Sequence, residues 1–207
     1  MSEANYTVQQ ENASEISVAI KKPSSRYVDR LLKSKCGPDL IASGVFPNTK
    51  ELTESYACLR AAEKMGEDLS DRTIQTVCVG DGSTPRTAAT FAFNSGWFNH
   101  SVDPQLKLHG MHPIIHRVMM HPDKIESLTL TSEYRVIVIA CHSHALLTRS
   151  LQHIHAPSIG LISMSCCVPD DLNQAPDKEY ADWGCWSPHR VVRIWKEIDV
   201  ARLGIAA

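Results

Sequence analysis

At 207 residues the chain is long enough for one domain of ordinary size with a real core. A net charge of −2 at pH 7 gives no global basic field, so composition does not point to nucleic acid. No apolar run approaches the ~18 residues of a membrane-crossing helix, and the polar, acidic start MSEANYTVQQENASE lacks the pattern of a secretory leader; the expectation is a soluble, cytoplasmic protein. The seven cysteines are odd in number and mostly stand in apolar runs, which reads as buried thiols rather than a disulfide framework.

Residues 1–24 are rich in Ser, Glu, Gln and Asn and read as a polar, partly disordered tail with a short strand at Ile16 to Ile20. The remainder, 25–207, reads as a single Rossmann-like domain, with N-terminal helices over 25–70 and a nucleotide-binding core over 74–200. Ser25 to Lys35 predicts a helix with Tyr27, Leu31 and Leu32 on one face and Gly37-Pro38 as its stop. Residues 36–48 read as a Gly/Pro-punctuated connection. Asn48 or Thr49 caps a longer helix from Lys50 to Met65, whose Leu52, Tyr56, Leu59 and Ala62 follow helical spacing.

The stretch TVCVGDGSTPRTAATFAFNSGWFNHSVDP organises the rest of the chain. Val77-Cys78-Val79 reads as a strand, and Gly80-Asp81-Gly82-Ser83-Thr84 as a turn in which two residues lack a Cβ and let a ligand approach. A helix then runs from Pro85 to Phe93, with Ser83 or Thr84 as its cap and Pro85 in its first turn. A second strand, Phe98 to Val102, ends on Asp103, 21 positions after Gly82 and close to the ~20-residue offset of a ribose-binding acid. Strand, glycine turn, helix, strand, acid is the order of a nucleotide-binding βαβ unit. The third glycine of G-x-G-x-x-G is replaced by Pro85.

Further strands are predicted at Ile114 to Met119, ending at His121-Pro122-Asp123, and at Arg135 to Ala140, ending at Cys141-His142-Ser143-His144. The RVIVIA run carries four β-branched residues in succession, Val136 to Ile139, as in a parallel strand buried on both faces. Lys124 to Leu128 starts a short helix and Ala145 to His155 forms a longer one. Ser158 to Ser165 gives a fifth strand, closing at Cys166-Cys167-Val168-Pro169. Residues 170–189 read as a Trp-bearing loop and Val191 to Ile198 as a late strand. The fold class expected is α/β: a doubly wound, mostly parallel sheet with helices on both faces and a late antiparallel strand. Ligands of such sheets bind at the carboxyl ends of the strands, so five strand ends should converge on one cleft.

In that frame the chain resembles a divergent class I S-adenosylmethionine-dependent methyltransferase over about residues 74–200. VCVGDGS, SVDP, HPDK and IACHSHA stand, in order, where that family has its glycine loop, its ribose acid, its adenine-side residue and its acceptor-side motif. The resemblance implies S-adenosylmethionine as cofactor, with Gly80, Asp81, Gly82, Ser83 and Thr84 around its amino-acid part, Asp103 at its ribose, Asp123 near its adenine and Cys141 at the fourth strand end. His142 and His144, the candidate catalytic residues, would then sit at the methyl acceptor, one or the other as its base, and Arg86 would meet a cofactor carboxylate or a phosphate. If the backbone stays extended, the i, i+2 spacing turns both histidines to one side. The chain departs from the family at Cys78, where an acid often stands, and it lacks the Asn/Asp-Pro-Pro-aromatic motif of amino-group methylases.

Rival readings have definite sequence grounds. A degenerate fold used as a binding or assembly module accounts for the missing acid and acceptor motif. GDGSTPRTAA also resembles the phosphate loop of sugar-phosphate isomerases, but the other acidic and glycine-rich segments of that family are absent. An NAD-linked dehydrogenase would need the third glycine and a substrate domain. Ten histidines and seven cysteines offer metal ligands, among them His109, His112, His116, His121, Cys166, Cys167, Cys185 and His189, yet no paired zinc spacing is present and no metal site is expected. Trp183 and Trp186 with Arg190 and Arg193 offer a stacking clamp, but a loop folded over the sheet edge is the plainer expectation.

Overall fold

The computed structural model describes residues 24–107, 115–167 and 170–199. The expected strand at Ile16 to Ile20, and His109 and His112, lie outside the described residues. Three helices come first: α1 (Arg26–Lys33), α2 (Gly37–Ala42) and α3 (Thr49–Met65). Asn48 caps α3, its side chain accepting from the Glu51 amide at 3.0 Å, and Gly66 ends it at φ +97°. Gly37-Pro38 does not stop α1; the pair opens α2, because proline suits a first helical turn as well as it ends a previous helix.

The core then alternates. It contains β1 (Gln75–Val79), α4 (Arg86–Asn94), β2 (Phe98–Val102), β3 (Val118–His121), β4 (Leu130–Thr131), β5 (Val136–Cys141), α5 (Leu147–Gln152), β6 (Ile154–His155), β7 (Ile159–Met164), β8 (Lys178–Ala181) and β9 (Val191–Trp195). The main sheet has the order β3-β2-β1-β5-β7-β9-β8. Its first five strands are parallel; β9 is antiparallel to β7, as expected of the late strand, and β8 is antiparallel to β9. β4 and β6 form a separate two-stranded ladder. This is the expected Rossmann-like α/β architecture.

Strand alternation divides the core in two. Cys78, Ile137, Ile139, Cys141, Ile162 and Met164 point to the face covered by α1, α3 and α4. Val77, Val79, Val136, Val138, Ala140 and Leu161 point the other way, toward α5 and the 3-10 turn Ile125–Ser127. Every residue of β5 and β7 is buried, which explains the uninterrupted β-branched run. The second face is the thinner one. The helix expected over Ala145 to His155 shrinks to six residues, and Asp171 caps it from a distant loop by accepting from the Leu147 amide at 2.7 Å.

Two corrections bear on the site. Neither Ser83 nor Thr84 caps α4. Its N-terminal amides are taken by Asp81, which accepts from Thr87 N at 2.8 Å and Ala88 N at 3.2 Å, while Thr84 Oγ1 donates to the Val45 carbonyl. The region 170–189 is not only loop, because β8 lies in it as an exposed edge strand. Its return is pinned to α1 by Asp182, whose buried carboxylate accepts from Tyr27 Oη at 2.6 Å and pairs with Arg26. No helix among the described residues is long and apolar enough to cross a membrane.

Candidate functional site

The strand order reverses between β1 and β5, so their carboxyl ends leave a crevice between the loops that follow them. A cleft of about 470 Å³ lies there, within the ~300–1,000 Å³ common for small-molecule sites. Gly80, Gly82, Asp103, Asp123, His142 and His144 all line it. Four separate strand ends therefore meet at one hollow. A second cavity, of about 410 Å³, opens beside Asp39, Phe93 and Arg117, away from these strand ends.

Gly80 and Gly82 sit at φ +73° and +84°, the left-handed region that side chains disfavour. Gly80 also meets a spatial limit: a Cβ there would lie 2.8–3.0 Å from the Oγ, Cα and Cβ of Ser143. The glycine turn thus lets the β1 and β5 loops abut. At Gly82 a Cβ would run into the Arg86 guanidinium, which lies across the turn and reaches Glu51 at 3.5 Å.

Asp103 closes the turn from the other side. Its Oδ2 accepts from the Gly82 amide at 2.8 Å and its Oδ1 from Gln105 N at 2.7 Å. One hydrogen bond to each oxygen fixes the carboxylate over the glycine turn, and each oxygen can accept another. Asp81, between the two glycines, turns away from the cleft. It is buried, accepting from Ser101 Oγ at 2.8 Å as well as from the two amides of α4. Burial raises its pKa against the opposing pull of Arg86 and these hydrogen bonds. Ser83, Thr84 and Cys141, also expected near the cofactor, are not on the cleft wall. Cys141 is buried at the end of β5, where hydrogen bonding to Cys58, with burial, holds its thiol well above the ordinary range.

The two histidines part company. His142 adopts φ +55°, which breaks the extended backbone and with it the expected common direction. Its Nε2 lies 2.9 Å from Glu54 Oε1 of α3, ion-pair distance without hydrogen-bond alignment. Burial works to raise the pKa of Glu54, but His142 and Lys50, the latter 3.0 Å away, outweigh it and hold the carboxyl below its ordinary value. His144 is exposed, and its Nε2 is 3.1 Å from Cys167 Sγ. Glu54 carries no sequence signal of a site residue. It stands in a regular helical pattern, and only its burial in α3 opposite the β5 loop distinguishes it.

Trp183 and Trp186 of the tryptophan loop are exposed. Arg190 lies over Trp183 with its Cζ 4.9 Å from the ring centre, and Trp186 Nε1 donates to the Ser24 carbonyl. Arg193 is held by Glu179, Asp170 and Ser165.

The fold and cleft together define a Rossmann-like α/β domain with a ligand crevice at its switch point. No family model and no curated protein matches the sequence. Among solved structures, a Glu-to-Gln mutant of MtNAS in complex with S-adenosylmethionine aligns at a TM-score of 0.48 and 12% identity, over 82% of this chain and 69% of that one. A putative methyltransferase from an antibiotic biosynthesis pathway of Anabaena variabilis aligns at 0.38 and 20% identity, over 54% of this chain; this chain spans 47% of its length. CalO1, a methyltransferase of calicheamicin biosynthesis in its SAH-bound form, aligns at 0.34 and 13% identity, over 56% of this chain and 39% of that one.

Proposed function

We propose that the protein binds S-adenosylmethionine in the cleft above Gly80 and Gly82 and serves methyl transfer to an acceptor near His142. The observation that carries this reading is the placement of Asp103. The acid that ends β2 hangs over the glycine turn, fixed by the Gly82 amide at 2.8 Å, with acceptor capacity left for a ribose diol.

The other wall residues fit the same ligand. Gly80 and Gly82 both line the cleft, and their turn brings backbone to its wall, where it suits the amino-acid moiety of that ligand. Arg86, at the same turn, suits the carboxylate of that moiety through a bidentate contact. Asp123, also on the cleft wall, suits the adenine amino group. Bound there, the cofactor supplies an activated methyl on a sulfonium, a good leaving group. The protein's task is then to position the acceptor and remove its proton. His142 is assigned the proton, because it lines the cleft at the end of β5 and its ring lies 2.9 Å from Glu54 Oε1.

Calorimetric titration with S-adenosylmethionine and S-adenosylhomocysteine tests this reading. Saturable binding to the wild type is expected, weakened about tenfold or more in Asp103→Ala, where charge-assisted hydrogen bonds are removed. Absence of binding at millimolar ligand, with the protein folded, rules the reading out. Incorporation of labelled methyl into cellular fractions then identifies the acceptor class.

A further inference from the structure

At the rim of the cleft stands a group of side chains that methyl transfer does not use. Cys166 and Cys167 follow β7, and His144 follows β5. Cys167 Sγ is 3.1 Å from His144 Nε2 and 3.5 Å from Cys166 Sγ, and the three donor atoms all lie within 4.8 Å of one another. We propose that His144, Cys166 and Cys167 bind a zinc ion, or a divalent cation of similar softness.

Donor chemistry is the first ground. Two thiolates and an imidazole form a set suited to zinc, and they would neutralise its charge. Geometry is the second. With Zn–S bonds of about 2.3 Å and Zn–N bonds of about 2.0–2.1 Å, a tetrahedral ion places its sulfurs ~3.8 Å apart and its nitrogen ~3.6 Å from each sulfur. The observed spacings of 3.5 and 3.1 Å differ from these by less than side-chain rotation provides. The Cys166 thiol also points to the His142 carbonyl at 3.9 Å, tying the β7 end to the β5 loop.

Access is the third ground. His144 and Cys167 are exposed and Cys166 half-buried, so an ion can reach all three. Cys58, Cys78, Cys141 and Cys185 are buried, and their thiols are raised above the ordinary range, Cys185 by burial to about 12. In the neighbouring trio Glu54, Cys141 and His142 the thiol and the carboxylate are buried, and Lys50 already pairs with the carboxylate. Asp170 is engaged by Arg193 and Ser163. The three ligands therefore leave a fourth position for water or an incoming group, the arrangement of catalytic rather than structural zinc. Paired-spacing rules miss this set because its ligands come from two loops that only the sheet brings together.

The test is metal loading of the full chain, purified under reducing conditions, stripped with a chelator and titrated with Zn²⁺ or Co²⁺. About one equivalent per chain is expected after desalting, with a cobalt–thiolate charge-transfer absorption. His144→Ala and Cys167→Ser should each weaken loading by at least ~100-fold, since even outer partners of a metal site carry ~10–100-fold. Cys36→Ser, at a cysteine remote from the cluster, should load like the wild type. Circular dichroism confirms that each variant is folded. No cobalt–thiolate absorption in the wild type, equal loading in His144→Ala, or a chain whose mass lacks two hydrogens because Cys166 and Cys167 have joined would each overturn the proposal. Titration of the same proteins with S-adenosylhomocysteine reads the cofactor site separately, so that failure of one assignment is not mistaken for failure of the other.

Discussion

Gly80 carries two constraints at once. Its φ of +73° favours glycine over any side chain by about 1–2 kcal/mol, and the backbone and side chain of Ser143 fill the space a Cβ needs. Gly66, at φ +97° with open space around its Cβ position, carries only the first. Gly80→Ala should therefore destabilise the fold by about 2 kcal/mol or more and weaken S-adenosylhomocysteine binding, whereas Gly66→Ala should cost about 1 kcal/mol and leave binding alone. Chemical denaturation paired with calorimetry separates the two; equal effects would mean that loop abutment at Ser143 is not what Gly80 provides. The same scale shows what a sequence reveals about a site. The meeting of the glycines and Asp103 at one turn is legible because it follows from local backbone and a fixed offset. Asp81 is not, because its partners are Ser101, on the next strand, and amides a turn and a half onward. Nor are the directions of His142 and His144, since His142 is itself left-handed, at φ +55°.

Elements with a strong internal pattern are legible in the sequence, and those defined by their neighbours are not. The β-branched run of β5 and the spacing of α3 match their predicted types and nearly their bounds. α2 is hidden by a Gly-Pro pair that reads as a stop, and β8 has no apolar alternation because it is a mostly exposed edge. The start of α4 depends on a remote cap, so Asp81→Ala should cost about 2–3 kcal/mol by freeing two helix amides and a buried hydroxyl. A loss below about 0.5 kcal/mol in urea unfolding would show that water takes over the cap.

On β2, His100 faces His121, with Nδ1 and Nε2 3.0 Å apart, and also contacts Phe98 and Gln75. Burial first, and then the proximity of His121, depress its pKa from 6.5 to about 4. As pH falls below 6.5 the unfolded chain takes up a proton that the folded chain refuses until about pH 4. Stability is thus lost across that window, by about 2 kcal/mol after allowance for partial exposure. His100→Gln should flatten this part of the stability–pH curve; identical slopes in wild type and variant would contradict the assignment.

The molecule as a whole is a sheet with unequal sides. A helical layer of α1, α3 and α4 buttresses one face, and from it Glu54 reaches His142 while Arg86 crosses the glycine turn. The thinner face carries the short α5 and leaves the loops after β5 and β7 at the rim, where His144 meets the paired cysteines. Architecture is legible from the alternation of strands and helical segments, together with the late VVRIWKEI run. The gathering of functional groups is legible only as a rule about strand ends. Which group turns inward and which outward depends on contacts across the sheet that no local spacing encodes. Whether Asp103 and the glycine turn form one adenosine-binding hollow is decided by a crystal structure of the protein saturated with S-adenosylhomocysteine. Ligand density is expected in the cleft, with the ribose hydroxyls at hydrogen-bond distance from the Asp103 carboxylate. Density elsewhere, or a vacant cleft at saturating ligand, would contradict it.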